Sequence, residues 1–180
     1  MKGDITFILG GARSGKSTAA ERLARRGDRV LFVATAEALD EEMERRIRIH
    51  RRSRPTAWDT LEEPRALVST LQPRLPHYDV FLIDCITLWV SNLLLSMEGH
   101  PDAERRAVDE TRRLLELMQD SQAAWIVVSN EVGMGIVPAS PLGREFRDAL
   151  GRVNQMIAAR SSRVLLMVAG LPFEASLPSV

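Results

Sequence analysis

Residues 10–17 read Gly10-Gly11-Ala12-Arg13-Ser14-Gly15-Lys16-Ser17, a match to G-x-x-x-x-G-K-[ST] that restricts the fold around it more than any other stretch of the chain. Its glycines let successive backbone N–H groups turn inward around an anion. That works only where a strand enters the loop and a helix leaves it, so that the helix N-terminus adds its partial positive charge. Both flanks comply. Residues 5–9 are an apolar run of strand length, and residues 16–26 carry an amphipathic helical pattern stopped at Gly27. In such a loop the lysine, Lys16, reaches the β- and γ-phosphates of a nucleotide and the hydroxyl of Ser17 ligates Mg2+. Lysine occurs only at Lys2 and Lys16 among 24 basic residues, so the one inside the loop stands out. A glycine-rich turn that binds nothing is the bland alternative, and the full motif in this context disfavours it.

The rest of the chain repeats the strand–helix alternation. Apolar runs at 30–34, 80–83, 125–128 and 164–168 lack polar alternation, as strands covered on both faces do. Helical patterns lie at 39–52, 64–71, 87–97, 102–118 and 142–159, with Asp102 placed to cap the helix after Pro101. Residues 53–63 read as a loop with a short extended piece at 57–61. The expectation is an α/β fold with a mainly parallel central sheet flanked by helices, one domain over residues 1–180.

Charge and cysteine usage exclude several classes. Twenty-four acidic residues balance the basic ones, which argues against a protein that coats nucleic acid. The lone cysteine, Cys85, forbids an intramolecular disulfide. The N-terminal apolar run is too short for a signal peptide, and no run approaches the roughly 18 residues of a membrane span. A soluble, cytoplasmic chain without stable membrane insertion is expected.

Two further segments carry chemistry. Val80-Phe81-Leu82-Ile83-Asp84 ends a buried run on an acid, which in phosphate-loop proteins holds Mg2+ directly or through water; a capping role for Asp84 is the alternative. Cys85 reads as a small core residue, since no histidine adjoins it in sequence. No N-K-x-D guanine-reading motif is present, and the chain is small for a nucleic-acid motor, leaving a small-molecule kinase or nucleotidyltransferase. Residues 45–54 then matter, because Arg45, Arg46, Arg48, Arg51, Arg52 and Arg54 surround His50. At helical spacing Leu39, Met43, Ile47 and His50 share one face. Surrounding cations disfavour protonation of the imidazole and leave a ring nitrogen free to attack phosphorus, while guanidinium groups suit phosphate oxygens. A hydrogen-bonded core histidine beside a solvated arginine face fits the same residues.

The phosphate loop, Ala34-Thr35-Ala36, the block from Arg46 through His50, Arg54-Pro55 and Trp58 to Glu62, and Asp84-Cys85-Ile86-Thr87 together resemble one family. So do residues 129–138 and Gly151-Arg152-Val153-Asn154-Gln155. The family is the bifunctional adenosylcobinamide kinase / adenosylcobinamide-phosphate guanylyltransferase family of cobalamin biosynthesis. The resemblance implies a RecA-like phosphate-loop fold and a homotrimer. It implies two reactions: ATP or GTP phosphorylates adenosylcobinamide, and GTP then donates GMP to adenosylcobinamide phosphate, releasing pyrophosphate. It places the guanylylated histidine at His50 and nucleotide contacts at Gly10 to Ser17, Ala34, Thr35, Ala36, Arg51, Arg52, Ser53, Arg54, Glu62 and Asp84. Where the family may carry Glu this chain has Asp84, with a shorter arm. A carboxylate at Glu62 suits the guanine N1–H and N2–H₂ edge or ribose hydroxyls; an exposed loop acid is the alternative. Asn130 and Glu131, at a strand's C-terminal edge, leave open corrinoid binding, a subunit contact or a plain turn. His77 and His100 receive no role, and the stripe Phe146, Ala149, Leu150, Val153, Ile157 reads as core. A simple kinase with a structural His50 and a non-catalytic regulatory module are the alternatives to the bifunctional enzyme.

Overall fold

A computed structural model describes residues 3–38, 41, 44, 45, 48, 51 and 54–175. The strands are β1 (Ile5–Gly10), β2 (Val30–Ala34), β3 (Asp59–Glu62), β4 (Val80–Asp84), β5 (Ala124–Val128), β6 (Arg163–Val168) and β7 (Leu171–Ala175). Between them lie α1 (Lys16–Ala24), α2 (Leu67–Leu71), α3 (Ile86–Leu95), α4 (Ala103–Asp120) and α5 (Pro141–Ala158), with a 3-10 turn at Gln72–His77. All seven strands join one sheet in the order β3-β2-β4-β5-β1-β6-β7. Every pairing is parallel except β6 with β7.

Continuous apolar strands make sense once both faces are covered. Ile5, Phe7, Leu31, Val33, Phe81, Ile83, Trp125 and Val127 pack on one face against α2 to α5. Their neighbours Ile8, Phe32, Leu82, Ile126 and Val128 pack on the other with Ala20 and Ala24 of α1. Phe81 and Trp125, paired across β4 and β5, stack with centroids 4.4 Å apart.

The predicted alternation holds, with local corrections. β3 spans Asp59–Glu62 rather than 57–61. α2 starts at Leu67 rather than 64 because the Glu63 carboxylate accepts from the N–H groups of Arg65 (3.0 Å) and Ala66 (2.8 Å) and from the Thr70 hydroxyl (3.0 Å), fixing a turn ahead of the helix. Asp102 precedes α4, yet its side chain caps nothing and pairs with Arg105 at 3.1 Å instead. β7 was not expected. In the predicted 39–52 helix, positions 41, 44, 45, 48 and 51 have helical backbone and are exposed; Leu39, Met43, Ile47 and His50, the proposed inner face, lie outside the described residues, as do Arg46, Arg52 and Ser53.

Candidate active site

Parallel strands deliver their C-terminal ends to one edge of the sheet, and open α/β sheets bind ligands along that edge. There β1 runs into the phosphate loop, β2 into Thr35 and Ala36, β3 ends on Glu62 and β4 on Asp84. Register sets Glu62 and Asp84 on either side of Ala34. Predicted contacts far apart in sequence thus meet in one row.

The loop is shaped by backbone. Gly15, just ahead of α1, has φ of 91°, in the left-handed region, and Arg13 adopts 56° there too. At Gly10 a Cβ would stand 2.4 Å from the Met167 carbonyl oxygen and 2.7 Å from Ser14 Oγ, so only glycine fits between β6 and the turn. The β6–β7 turn supports it from behind. Ala169 and Gly170 both have positive φ, as tight hairpins of two residues require, and Gly170 N–H donates to the Ser14 carbonyl at 3.0 Å.

Lys16 is 8% exposed, and its ammonium donates to the Gly11 carbonyl at 2.6 Å, holding the charge at the mouth of the loop. Burial lowers its pKa from the usual 10.5, while Cys85 and the Asp84 carboxylate oppose that fall. Asp84 and Lys16 are therefore electrostatic neighbours across the loop. Cys85 is buried, and desolvation, with Asp84 adding, pushes its thiol up to about 12. It is no nucleophile at neutral pH.

Thr35 is the clamp between β2 and β4. Its hydroxyl donates to the Cys85 carbonyl (2.6 Å) and accepts from the Cys85 N–H (2.9 Å), while its own N–H reaches the Asp84 carbonyl (3.3 Å). Asn92 of α3 donates to the Thr35 (2.8 Å) and Pro64 (3.1 Å) carbonyls. The stretch Ala34-Thr35-Ala36 is thereby fixed beside Asp84.

The arginine segment reaches the same edge through two described residues. Arg51 pairs with Glu62, its Nε donating at 2.7 Å, and both side chains are exposed. Arg54 places its guanidinium carbon over the Phe32 ring, 4.0 Å from its centroid. Its Nε and one terminal nitrogen are buried and find no acceptor among the described residues, as is true of Ser14 Oγ in the phosphate loop. Burial lowers the Arg54 pKa from its ordinary value, opposed by Glu62 and Asp84 and reinforced by Arg51, with Glu21 also opposing; an arginine remains a cation regardless. His50, Arg52 and Ser53 lie outside the described residues.

Three polar residues at this edge belong to the sequence motifs quoted above but were given no role there. Thr87, Ser129 and Asn154 are buried and hydrogen-bonded around Asn130. The available signal was an asparagine beside Val153 within a helical stripe otherwise apolar. Among the described residues no group of three or more His, Cys, Asp or Glu is placed to hold a metal, and no helix is long and apolar enough to cross a membrane.

Comparison with known proteins adds three findings. Residues 6–175 match the family model described as cobinamide kinase / cobinamide phosphate guanyltransferase. Curated relatives include the bifunctional adenosylcobalamin biosynthesis protein CobP of Pseudomonas aeruginosa, 49% identical over 92% of this chain and 94% of that protein. Another is the protein of the same description, CobU, from Salmonella typhimurium, 44% identical over 93% and 97%. Among solved structures, flagellar accessory protein FlaH from Methanocaldococcus jannaschii superposes with a TM-score of 0.51 at 16% identity, covering 95% of this chain and 75% of that one. That likeness concerns the fold alone, and it agrees with the RecA-like phosphate-loop architecture expected from the sequence.

Proposed function

The chain belongs to the cobinamide kinase / cobinamide phosphate guanyltransferase family, and from that premise we propose how its own residues divide the two reactions. It is a bifunctional transferase of cobalamin biosynthesis, phosphorylating adenosylcobinamide and then transferring GMP to adenosylcobinamide phosphate. ATP or GTP serves the first step and GTP the second. The observation that carries this assignment of roles is a pair of buried groups at one sheet edge that find no partner among the described residues, Ser14 Oγ and two nitrogens of the Arg54 guanidinium. Donors left without partners in a protein interior are costly, and a triphosphate supplies the missing acceptors.

In phosphorylation the triphosphate lies in residues 10–17, with Lys16 on the β- and γ-phosphates. The acceptor hydroxyl oxygen bonds to the γ-phosphorus as the bond to the β,γ-bridging oxygen breaks, and the nucleoside diphosphate leaves. Ser17 and Asp84 offer hard oxygen donors of the kind Mg2+ takes, and the negative field of Asp84 already registers at Lys16. These two residues would hold the ion, which when bound neutralises phosphate charge.

For guanylyl transfer His50 is the nucleophile. A ring nitrogen bonds to the α-phosphorus, pyrophosphate departs, and the phosphoramidate is then attacked by a phosphate oxygen of adenosylcobinamide phosphate. Arg51, Arg52, Ser53 and Arg54 neutralise and orient the leaving pyrophosphate, while Ala34, Thr35 and Ala36 line the nucleotide. Glu62 reads the guanosine portion and exchanges its Arg51 partner to do so. The chain acts as one catalytic domain in the cytoplasm without nucleic acid, in keeping with its zero net charge. It assembles as a homotrimer, a reading supported by the family resemblance and by the exposed apolar side chains Met134, Ile136 and Phe173.

GTP labelled at the α-phosphate tests the central assignment. The protein should acquire an acid-labile covalent label, and His50→Ala should abolish it while phosphorylation of cobinamide continues. Label that persists in His50→Ala refutes the nucleophile.

A further inference from the structure

Between Asp84 and the phosphate loop the sheet inserts a single strand, β5. Val128 faces Asp84 on one side and Ile8 on the other. Beyond it, Ser129 N–H donates to the Ile8 carbonyl (2.9 Å) and Glu131 N–H to the Gly10 carbonyl (3.1 Å). The residue between them, Asn130, therefore stands in the notch that separates the acid of β4 from the glycine turn of β1.

Its main chain is held at both polar groups by side chains. Asn130 N–H donates to Thr87 Oγ1 at 2.7 Å, and Asn154 Nδ2 donates to the Asn130 carbonyl at 3.1 Å. Ser129 Oγ donates to Asn154 Oδ1 at 2.7 Å and lies 3.3 Å from Thr87 Oγ1. The ring closes with Thr87, Ser129 and Asn154 each less than a tenth exposed. Apolar residues could fill that volume at little cost in stability, whereas a fully satisfied polar ring fixes one geometry. What it fixes is the half-exposed Asn130, whose side-chain amide makes no hydrogen bond among the described residues.

Resting on the two-reaction reading above, we propose that the Asn130 amide contacts the terminal phosphoryl group during phosphorylation, and that Thr87, Ser129 and Asn154 are its positioning residues. The Nδ2 group donates to a non-bridging γ-oxygen while the γ-phosphorus moves from the bridging oxygen to the acceptor hydroxyl; the diphosphate departs with the electron pair and the hydroxyl proton passes to water. In guanylyl transfer the γ-phosphate leaves unchanged within pyrophosphate. The contact there is the same before and during reaction and accelerates nothing. Asn130 thus serves one of the two reactions selectively.

The test uses the full chain, with the γ-phosphate label of GTP followed into cobinamide and the α-phosphate label followed into protein. Asn130→Ala should lower kcat for phosphorylation about 100-fold with nucleotide KM changed less than about threefold, the size expected for one preorganised donor. Covalent guanylylation should stay within about threefold. Thr87→Val should lower phosphorylation about tenfold and Thr87→Ser should restore it, the hydroxyl being the group that matters. Equal losses in both reactions, or loss in Thr87→Val without recovery in Thr87→Ser, mark the ring as merely structural and overturn the proposal. Unchanged phosphorylation in Asn130→Ala overturns it as well. A wild-type chain performing neither reaction overturns the functional reading and this inference with it.

Discussion

Lys16 and Arg54 bring positive charge to the same sheet edge from two regions built in different ways. The phosphate loop is preorganised by backbone: left-handed φ at Arg13 and Gly15, a glycine at position 10 that nothing larger can replace, and a hairpin turn bonded behind it. Its lysine, Lys16, already has an acceptor, the Gly11 carbonyl. The arginine segment is organised by side chains. Arg51 is satisfied by Glu62 at the surface, whereas Arg54 is pressed onto Phe32 with two buried donors that find no acceptor among the described residues. A loop of the first kind binds phosphate with little rearrangement. A guanidinium of the second kind carries a cost in the free protein that binding an anion removes, so it couples affinity to stability.

Breaking the loop should have the largest effect. Lys16→Ala should lower kcat/KM for phosphorylation by about 10²–10³-fold, measured with either nucleotide, because a preorganised charge at the transferring group is lost. In the unaltered protein the ammonium is the active form. Since burial lowers its pKa below the usual 10.5, kcat/KM should fall on the alkaline side at a lower pH than an exposed lysine would impose, and Lys16→Arg should remove that limb.

Arg54→Ala is the intermediate case and the one that separates the two regions. Triphosphate affinity should drop roughly tenfold or more by titration, as for loss of charge-assisted hydrogen bonds. The melting temperature of the free protein should not fall, since an unsatisfied buried cation has been removed. A lower melting temperature with unaltered affinity would make Arg54 a structural residue and erase the contrast. Arg51→Ala should matter least. An exposed ion pair contributes little, so the melting curve should barely move, and losing one solvent-screened charge from the pyrophosphate contacts should weaken triphosphate affinity by only about threefold.

Sequence legibility followed burial. β1, β2, β4 and β5 were readable because they are covered on both faces, wholly or nearly so, and their composition says so; β6, buried only at Leu165 and Met167, was readable from its aliphatic run alone. β3 and β7 sit at the two edges and are exposed along most or all of their length. With Pro172 inside it and only five residues, β7 carries a weak strand signal, although an edge tolerates proline. The phosphate loop and Asp84 were legible as motifs because their chemistry is local. The ring of Thr87, Ser129 and Asn154 was legible only as pieces of three separate motifs: its members come from α3, the end of β5 and α5, and nothing in the sequence joins them until the fold does. Arg54 was named from the sequence as a nucleotide contact, but its packing on Phe32 of β2 was not legible there.

The bond from Gly170 to Ser14 has a consequence for how the enzyme is made. A ribosome releases the glycine turn early, but β1 lacks both neighbours until β5 and β6 have emerged, and the turn lacks its backing until Gly170 follows. Nucleotide therefore stabilises only chains in which β5, β6 and the turn after β6 are already present. Translation products that stop short of the β6–β7 hairpin are left with the motif and without its backing, so the cell's own triphosphates cannot prop them up.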